Sequence, residues 1–263
     1  MGMPSVINLP AVPHIPPLWR ESRFGFELAH LRRSPILRGH GVPDGDGRPV
    51  MLIPGFLAGD GSLATMTQWL RSMGYYTRRA GIRANVGCSE DACLRLERRL
   101  EGFAEHAGEP VSIIGQSRGG VFARALAVRR PELVAGIVTL GSPVAGQLRV
   151  HPFVLAQVGI VSALGSARVP GMFTWRCLRG DCCERFRDAI AGPFPQDIPY
   201  VALYSRTDGI VDWHACLDPA AEQVEVHASH CGMSVSAPVY REIAFALGTF
   251  AEPGADSGWA QAA

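Results

Sequence analysis

From residue 50 onward, short apolar runs alternate with longer segments of helical periodicity. The runs lie at 50–53, 75–80, 111–114, 136–140, 200–204 and 223–226. Most of them are apolar without a polar alternation, which is the pattern of strands buried on both faces of a parallel sheet. Between them, 63–73, 91–106 and 121–129 carry apolar residues three and four apart; Leu96, Leu100 and Phe103 mark such a face in the second. A last helix is predicted over 238–250. The alternation predicts the α/β class: a mostly parallel central sheet of about six strands flanked by helices.

The ends of the chain read differently. Residues 1–20 are rich in proline (Pro4, Pro10, Pro13, Pro16, Pro17) and predict an extended arm, followed by an amphipathic helix over 24–37 with Phe24, Leu28 and Leu31 on one face. The rhythm breaks once, where almost sixty residues separate Leu140 from Tyr200. A connection that long is usually functional or a small subdomain. It contains the apolar stretch 153–164, several prolines and three cysteines, and a cap over the carboxyl ends of the strands is expected there. The organisation expected is therefore an arm and helix over 1–47, a core over 48–143 and 196–252, a cap or lid insertion over 144–195, and a flexible tail over 253–263.

One run carries chemistry. Val111-Ser112-Ile113-Ile114 leads into Gly115-Gln116-Ser117-Arg118-Gly119, and a helical face with Val121, Phe122, Ala125 and Leu126 follows. A G-x-S-x-G between a buried strand and a helix is the pattern of a nucleophile elbow, in which the serine stands clear of the sheet on a strained turn. Gly115 and Gly119 leave the space that such a turn needs. The helix opening beside Ser117 aims its amide end at the site, which favours a developing negative charge.

With these residues the chain resembles the α/β-hydrolase superfamily, and more narrowly bacterial lipases and carboxylesterases, over about 50–250. The resemblance implies a triad in the order serine, acid, histidine, with the acid after the next-to-last strand and the histidine after the last. Asp208 follows the strand 200–204 and His230 follows the strand 223–226, so Ser117, Asp208 and His230 are the expected triad. Asp212 is the rival acid, and His227 and His214 are the rival bases. The resemblance also implies an oxyanion hole built from two backbone amides, that of Arg118 and that of Phe56 in the loop Pro54-Gly55-Phe56-Leu57. Pro54 stands where many lipases have histidine, a departure that leaves the backbone donors intact. The glycines of 54–61 fit no nucleotide pattern, since no lysine follows.

Composition adds limits. The 25 basic and 24 acidic side chains nearly cancel, leaving +1, so no electrostatic footprint for nucleic acid or an anionic membrane is present. The longest apolar stretch is too short to span a bilayer, so no integral membrane segment is expected. The first residues lack the pattern of a secretory signal, which points to the cytoplasm. The seven cysteines leave a secreted mature form open. They match no familiar zinc spacing, and neither metal nor cofactor is expected. Their positions suggest instead that Cys216 or Cys231, beside the triad loops, is bonded to another loop. Leu57, Phe153 and Trp175 are the expected substrate contacts, and the apolar cap favours an ester or lipid with apolar groups. The expected activity is a serine carboxylic-ester hydrolase working through an acyl-enzyme. Acyl transfer, thioesterase or amidase chemistry with the same triad, and a non-catalytic binding protein of the same fold, stand as alternatives; oligomeric state is left open.

Overall fold

A computed structural model describes residues 15–250. Six strands form one sheet: β1 (Pro49–Ile53), β2 (Tyr76–Arg79), β3 (Val111–Gln116), β4 (Val134–Leu140), β5 (Tyr200–Tyr204) and β6 (Glu222–Glu225). Their order is β2-β1-β3-β4-β5-β6, and all five pairings are parallel, so the sheet is wholly rather than mostly parallel. The helices are α1 (Phe24–Arg33), α2 (Ala64–Ser72), α3 (Ser89–Ala107), α4 (Arg118–Arg129), α5 (Pro152–Ser166), α6 (Trp175–Arg179), α7 (Glu184–Ala191) and α8 (Ala237–Thr249).

The side-chain alternation of β1 explains the two layers. Met51 and Ile53 enter one apolar cluster with Leu96 and Leu100 of α3 and Phe122 of α4. Val50 and Leu52 enter the other with Leu31 of α1, Leu70 of α2 and Ile243 of α8. Each strand residue is thus covered whichever way it points, which is why the runs read as continuous. The outermost strands carry charge instead (Arg78 and Arg79 in β2, Glu222 and Glu225 in β6), which suits unpaired edges.

Three expectations change. The helix expected over 24–37 stops at Arg33, because Pro35 has no amide proton to continue it; Ser34 caps a short 3₁₀ turn instead. Its buried face is also shifted: Phe24 is exposed, while Glu27 and Leu31 are buried. The segment 144–195 divides in two. Its last helix, α7, places Phe186, Ala189 and Ile190 in the core cluster against α3 and α4, whereas α5 and α6 pack in a separate small cluster of Val161 and Phe173 with Val86 of the core. Finally, no disulfide joins any of the seven cysteines, so neither Cys216 nor Cys231 forms the expected crosslink. Cys216 is buried among Val211 and Ala215, and Cys231 is exposed.

β1 and β3 are neighbours, yet the chain leaves β1 toward β2 on one side and reaches β3 on the other. In parallel sheets the crevice at the carboxyl ends of such a pair is where ligands bind. The loops that leave these two strands carry Phe56 and Ser117.

Candidate active site

Ser117 joins β3 to α4 with φ +53° and ψ −123°. A left-handed backbone at a residue with a Cβ costs about 1–2 kcal/mol, so the surroundings must hold it. They do so by close approach. The Ser117 amide donates to the Leu140 carbonyl of β4 at 2.8 Å. A Cβ on Gly119 would collide with the Ile53 carbonyl, and one on Gly115 with the backbone of Gly119 and Gly120. Gly55, in the β1 loop, approaches so near that its Cβ would stand 3.1 Å from that of Ser117.

Asp208 and His230 meet on the neighbouring strand ends. His230 Nδ1 lies 2.7 Å from Asp208 Oδ2, and both side chains are buried. The other carboxylate oxygen, Oδ1, accepts the amides of Ile210 and Val211 at 2.7 Å each. With Nδ1–H donated to the carboxylate, Nε2 is left as the free base of the ring. The pair and the serine share a neighbour: Leu140 receives the Ser117 amide, and a Cβ on the next residue, Gly141, would stand 3.1 Å from both Asp208 Oδ2 and His230 Nδ1. Gln116, just before Ser117, donates from Nε2 to the His230 carbonyl at 3.0 Å. Burial pushes the His230 pKa down, but the charge and hydrogen bond of Asp208, with a further contribution from Glu21, outweigh it, and the net shift is upward.

The rivals are occupied elsewhere. Asp212 pairs with Arg149 at 2.6 Å and with His214 at 2.7 Å. His214 stacks on Trp213 at 3.7 Å between ring centroids. His227 is exposed, with Nδ1 3.1 Å from Thr207 Oγ1, rather than pointing into the fold.

Two carboxylates that periodicity did not single out hold the loops of Asp208 and His230 from the N-terminal side. Glu21, in the 3₁₀ turn Leu18–Arg23, accepts amides from Gly209 at 2.9 Å, His230 at 2.9 Å and Cys231 at 2.8 Å. Glu27 of α1 accepts the Ser229 amide at 2.8 Å and its hydroxyl at 2.6 Å. Each therefore neutralises orphan donors of the loop that carries His230. The available signal was Glu27 itself, a carboxylate one residue before Leu28 on the face that Leu31 buries.

A cavity of about 120 Å³ opens at Ser117. Phe56 and Arg118 border it on the core side, and Val154, Val158, Phe173 and Leu178 on the cap side. The expected contacts Leu57, Phe153 and Trp175 do not line it; they are 45%, 54% and 50% exposed. α5 is apolar around most of its circumference, so spacing alone favoured no face, and Val154 and Val158, one turn apart, turn inward instead of Phe153. The Arg118 guanidinium is buried, which pushes its pKa down to about 10. It donates to the carbonyls of Asn85 and Gly87 at 2.8 Å and to Ser89 Oγ at 3.0 Å, and lies 5.4 Å from the centre of the Phe173 ring. Among the described residues no helix is long and apolar enough to cross a membrane.

No family model and no curated protein sequence matches the chain. Solved structures do. The mature form of the Bacillus licheniformis lipase BlEst2 is similar with a TM-score of 0.57 at 16% identity, over 77% of this chain and 94% of that one. A soluble variant of monoglyceride lipase from Saccharomyces cerevisiae aligns with a TM-score of 0.58 at 16% identity, over 80% and 90%. A monoacylglycerol lipase from Paleococcus ferrophilus aligns with a TM-score of 0.54 at 15% identity, over 80% and 97%. The shared architecture is the α/β-hydrolase fold, and the chain has it.

Proposed function

We propose that the chain is a serine carboxylic-ester hydrolase of the lipase and esterase kind, with Ser117, Asp208 and His230 as its triad. The observation that carries this is the buried Asp208–His230 hydrogen bond of 2.7 Å beside a serine at φ +53°. Neither feature stabilises the fold cheaply, and together they form a nucleophile, a base and its orienting group. The lipases that share the fold lend support at the level of architecture.

In the reaction, His230 Nε2 takes the proton of Ser117 Oγ as that oxygen attacks the ester carbonyl carbon. Asp208 stabilises the imidazolium and keeps its orientation. The oxyanion receives the backbone N–H groups of Phe56 and Arg118, with the amide end of α4 behind them. Collapse breaks the bond to the alcohol, which leaves with the proton from His230. Water then attacks the acyl-enzyme by the same steps in reverse roles, releasing the acid and restoring Ser117. The cavity, at about 120 Å³, is well below the ~300 Å³ at which drug-sized sites begin. Its walls are apolar, so short apolar acyl groups are the favoured substrates.

Ser117→Ala should abolish hydrolysis of a p-nitrophenyl ester while leaving the circular dichroism spectrum unchanged. A fluorophosphonate probe should label the parent chain at Ser117. Retained turnover in the folded variant would refute the assignment.

A further inference from the structure

Four of the seven cysteines converge although they are scattered in sequence. Cys88 lies in the loop that leads into α3, Cys177 in α6, and Cys182 and Cys183 in the turn before α7. Their sulfurs all lie within 4.8 Å of one another. Cys88 Sγ is 3.4 Å from Cys183 Sγ, which is 3.8 Å from Cys182 Sγ. We propose that these four side chains bind a structural zinc ion as a tetrahedral four-thiolate site.

The spacing fits that ion. A zinc–sulfur bond of about 2.3 Å at tetrahedral angles puts neighbouring thiolates about 3.8 Å apart. A multinuclear iron–sulfur cluster carries its own sulfides inside the ligand shell and needs thiolates further apart, so a mononuclear ion is the better match. Thiol–thiol hydrogen bonds are weak and would not by themselves gather four sulfurs. Charge balance fits too. Four thiolates around a divalent ion leave two negative charges, and the Arg118 guanidinium, held on the carbonyl of Gly87 beside Cys88, sets a positive charge next to the cluster. Cys183 is buried, Cys88 and Cys177 are half-buried, and Cys182 is exposed, which gives the metal a path in.

The site has structural leverage. Cys88 belongs to the core, and the other three belong to the segment that crosses the cavity. Cys177 and Leu178 line that cavity, and the Phe173 amide already donates to the Val86 carbonyl at 2.8 Å beside the cluster. The ion therefore pins the cap to the loop that Arg118 grips, and fixes the cavity wall opposite Ser117. No zinc pattern was legible in the sequence because Cys88 precedes Cys183 by 95 residues, and Cys182 and Cys183 are adjacent in the chain.

The test is metal analysis of the full chain, purified under reducing conditions without chelator from cells supplied with zinc. About one zinc per chain is expected by plasma mass spectrometry, and cobalt substitution should give the thiolate charge-transfer and tetrahedral d–d bands of a four-sulfur site. Cys88→Ser and Cys183→Ser should abolish stoichiometric zinc, whereas Cys93→Ala, outside the cluster, should retain it. If the serine variants fail to fold, the metal content and cobalt spectrum of the parent chain decide alone. Folded chain with four free thiols and no zinc would overturn the proposal, as would iron in place of zinc, or peptide mapping that found these cysteines paired in disulfides. None of these readouts depends on ester hydrolysis.

Discussion

The carboxylate of Glu21 accepts the backbone amide of His230 at 2.9 Å across 209 residues of chain. The same group receives Gly209 and Cys231, so one acid fixes both loops of the Asp208–His230 pair. Glu21→Gln keeps the shape but removes an acceptor oxygen and the charge. Hydrogen bonds to a charged group contribute about 1.5–3 kcal/mol each, and unfolding in urea should report a loss of about that size. Because the Glu21 charge also raises the His230 pKa, the acid limb of the rate profile should move to lower pH. A purely structural role would leave that limb in place.

The raised His230 pKa has opposite consequences for rate and stability. As a base the ring must be neutral, so kcat/KM should fall with acid through a value above the ordinary 6.5. Stability runs the other way. The imidazolium is favoured in the folded state, so its stabilising contribution is complete below the unfolded value of about 6.5 and is lost as pH rises through the folded value. Across that window, activity should climb while Tm declines, which paired rate and melting measurements would check.

Asp208→Asn leaves Ile210 and Val211 an acceptor but presents His230 with a neutral amide. The imidazole then lacks the partner that sets its tautomer, a loss of about 10⁴ in kcat in the serine-protease template. A fall of at least about 10³ is expected, with KM nearly unchanged. Asp212→Asn, which disturbs only the contacts to Arg149 and His214, should cost far less.

Gly141 sits at φ +54° against both members of the pair. Gly141→Ala should destabilise the chain by about 1–2 kcal/mol through backbone strain. Its methyl group, 3.1 Å from Asp208 Oδ2 and His230 Nδ1, should also lower kcat. Displacements near 1 Å around a reacting centre can reduce rates by about 10², so kinetics beside urea unfolding would separate the two effects.

The cavity wall offers a specificity test. Val158→Phe adds bulk to a space of about 120 Å³. A panel of p-nitrophenyl esters should show the preference shifting toward shorter acyl chains, mainly through KM. Phe153→Ala, on an exposed side chain outside the cavity, should leave that preference alone.

Much of this was legible because strong local constraints were involved. The elbow needs glycines at 115 and 119 whatever the rest of the chain does, and the β1 strand must be apolar on both faces. Order along the chain singled out Asp208 and His230, each beyond a strand end, and the structure brings these two side chains together at 2.7 Å. The features that escaped depend on contacts between distant segments. Glu21, in a 3₁₀ turn, and Glu27, in α1, are ordinary acids until the loops around 209 and 230 fold against them. Val154 and Val158 were hidden by the uniform apolarity of α5, and the four converging cysteines by their separation.

The clamp formed by Glu21 also sets an order of events. During synthesis this carboxylate emerges 209 residues before the His230 amide, which follows all six strands. Closing so long a loop carries an entropic cost that only a formed core can offset. The Asp208–His230 arrangement is therefore complete only after β6 has docked. A nascent chain that has built most of its sheet still lacks the clamp on the histidine loop, and the first native contact of the Glu21 segment with that loop comes late in folding.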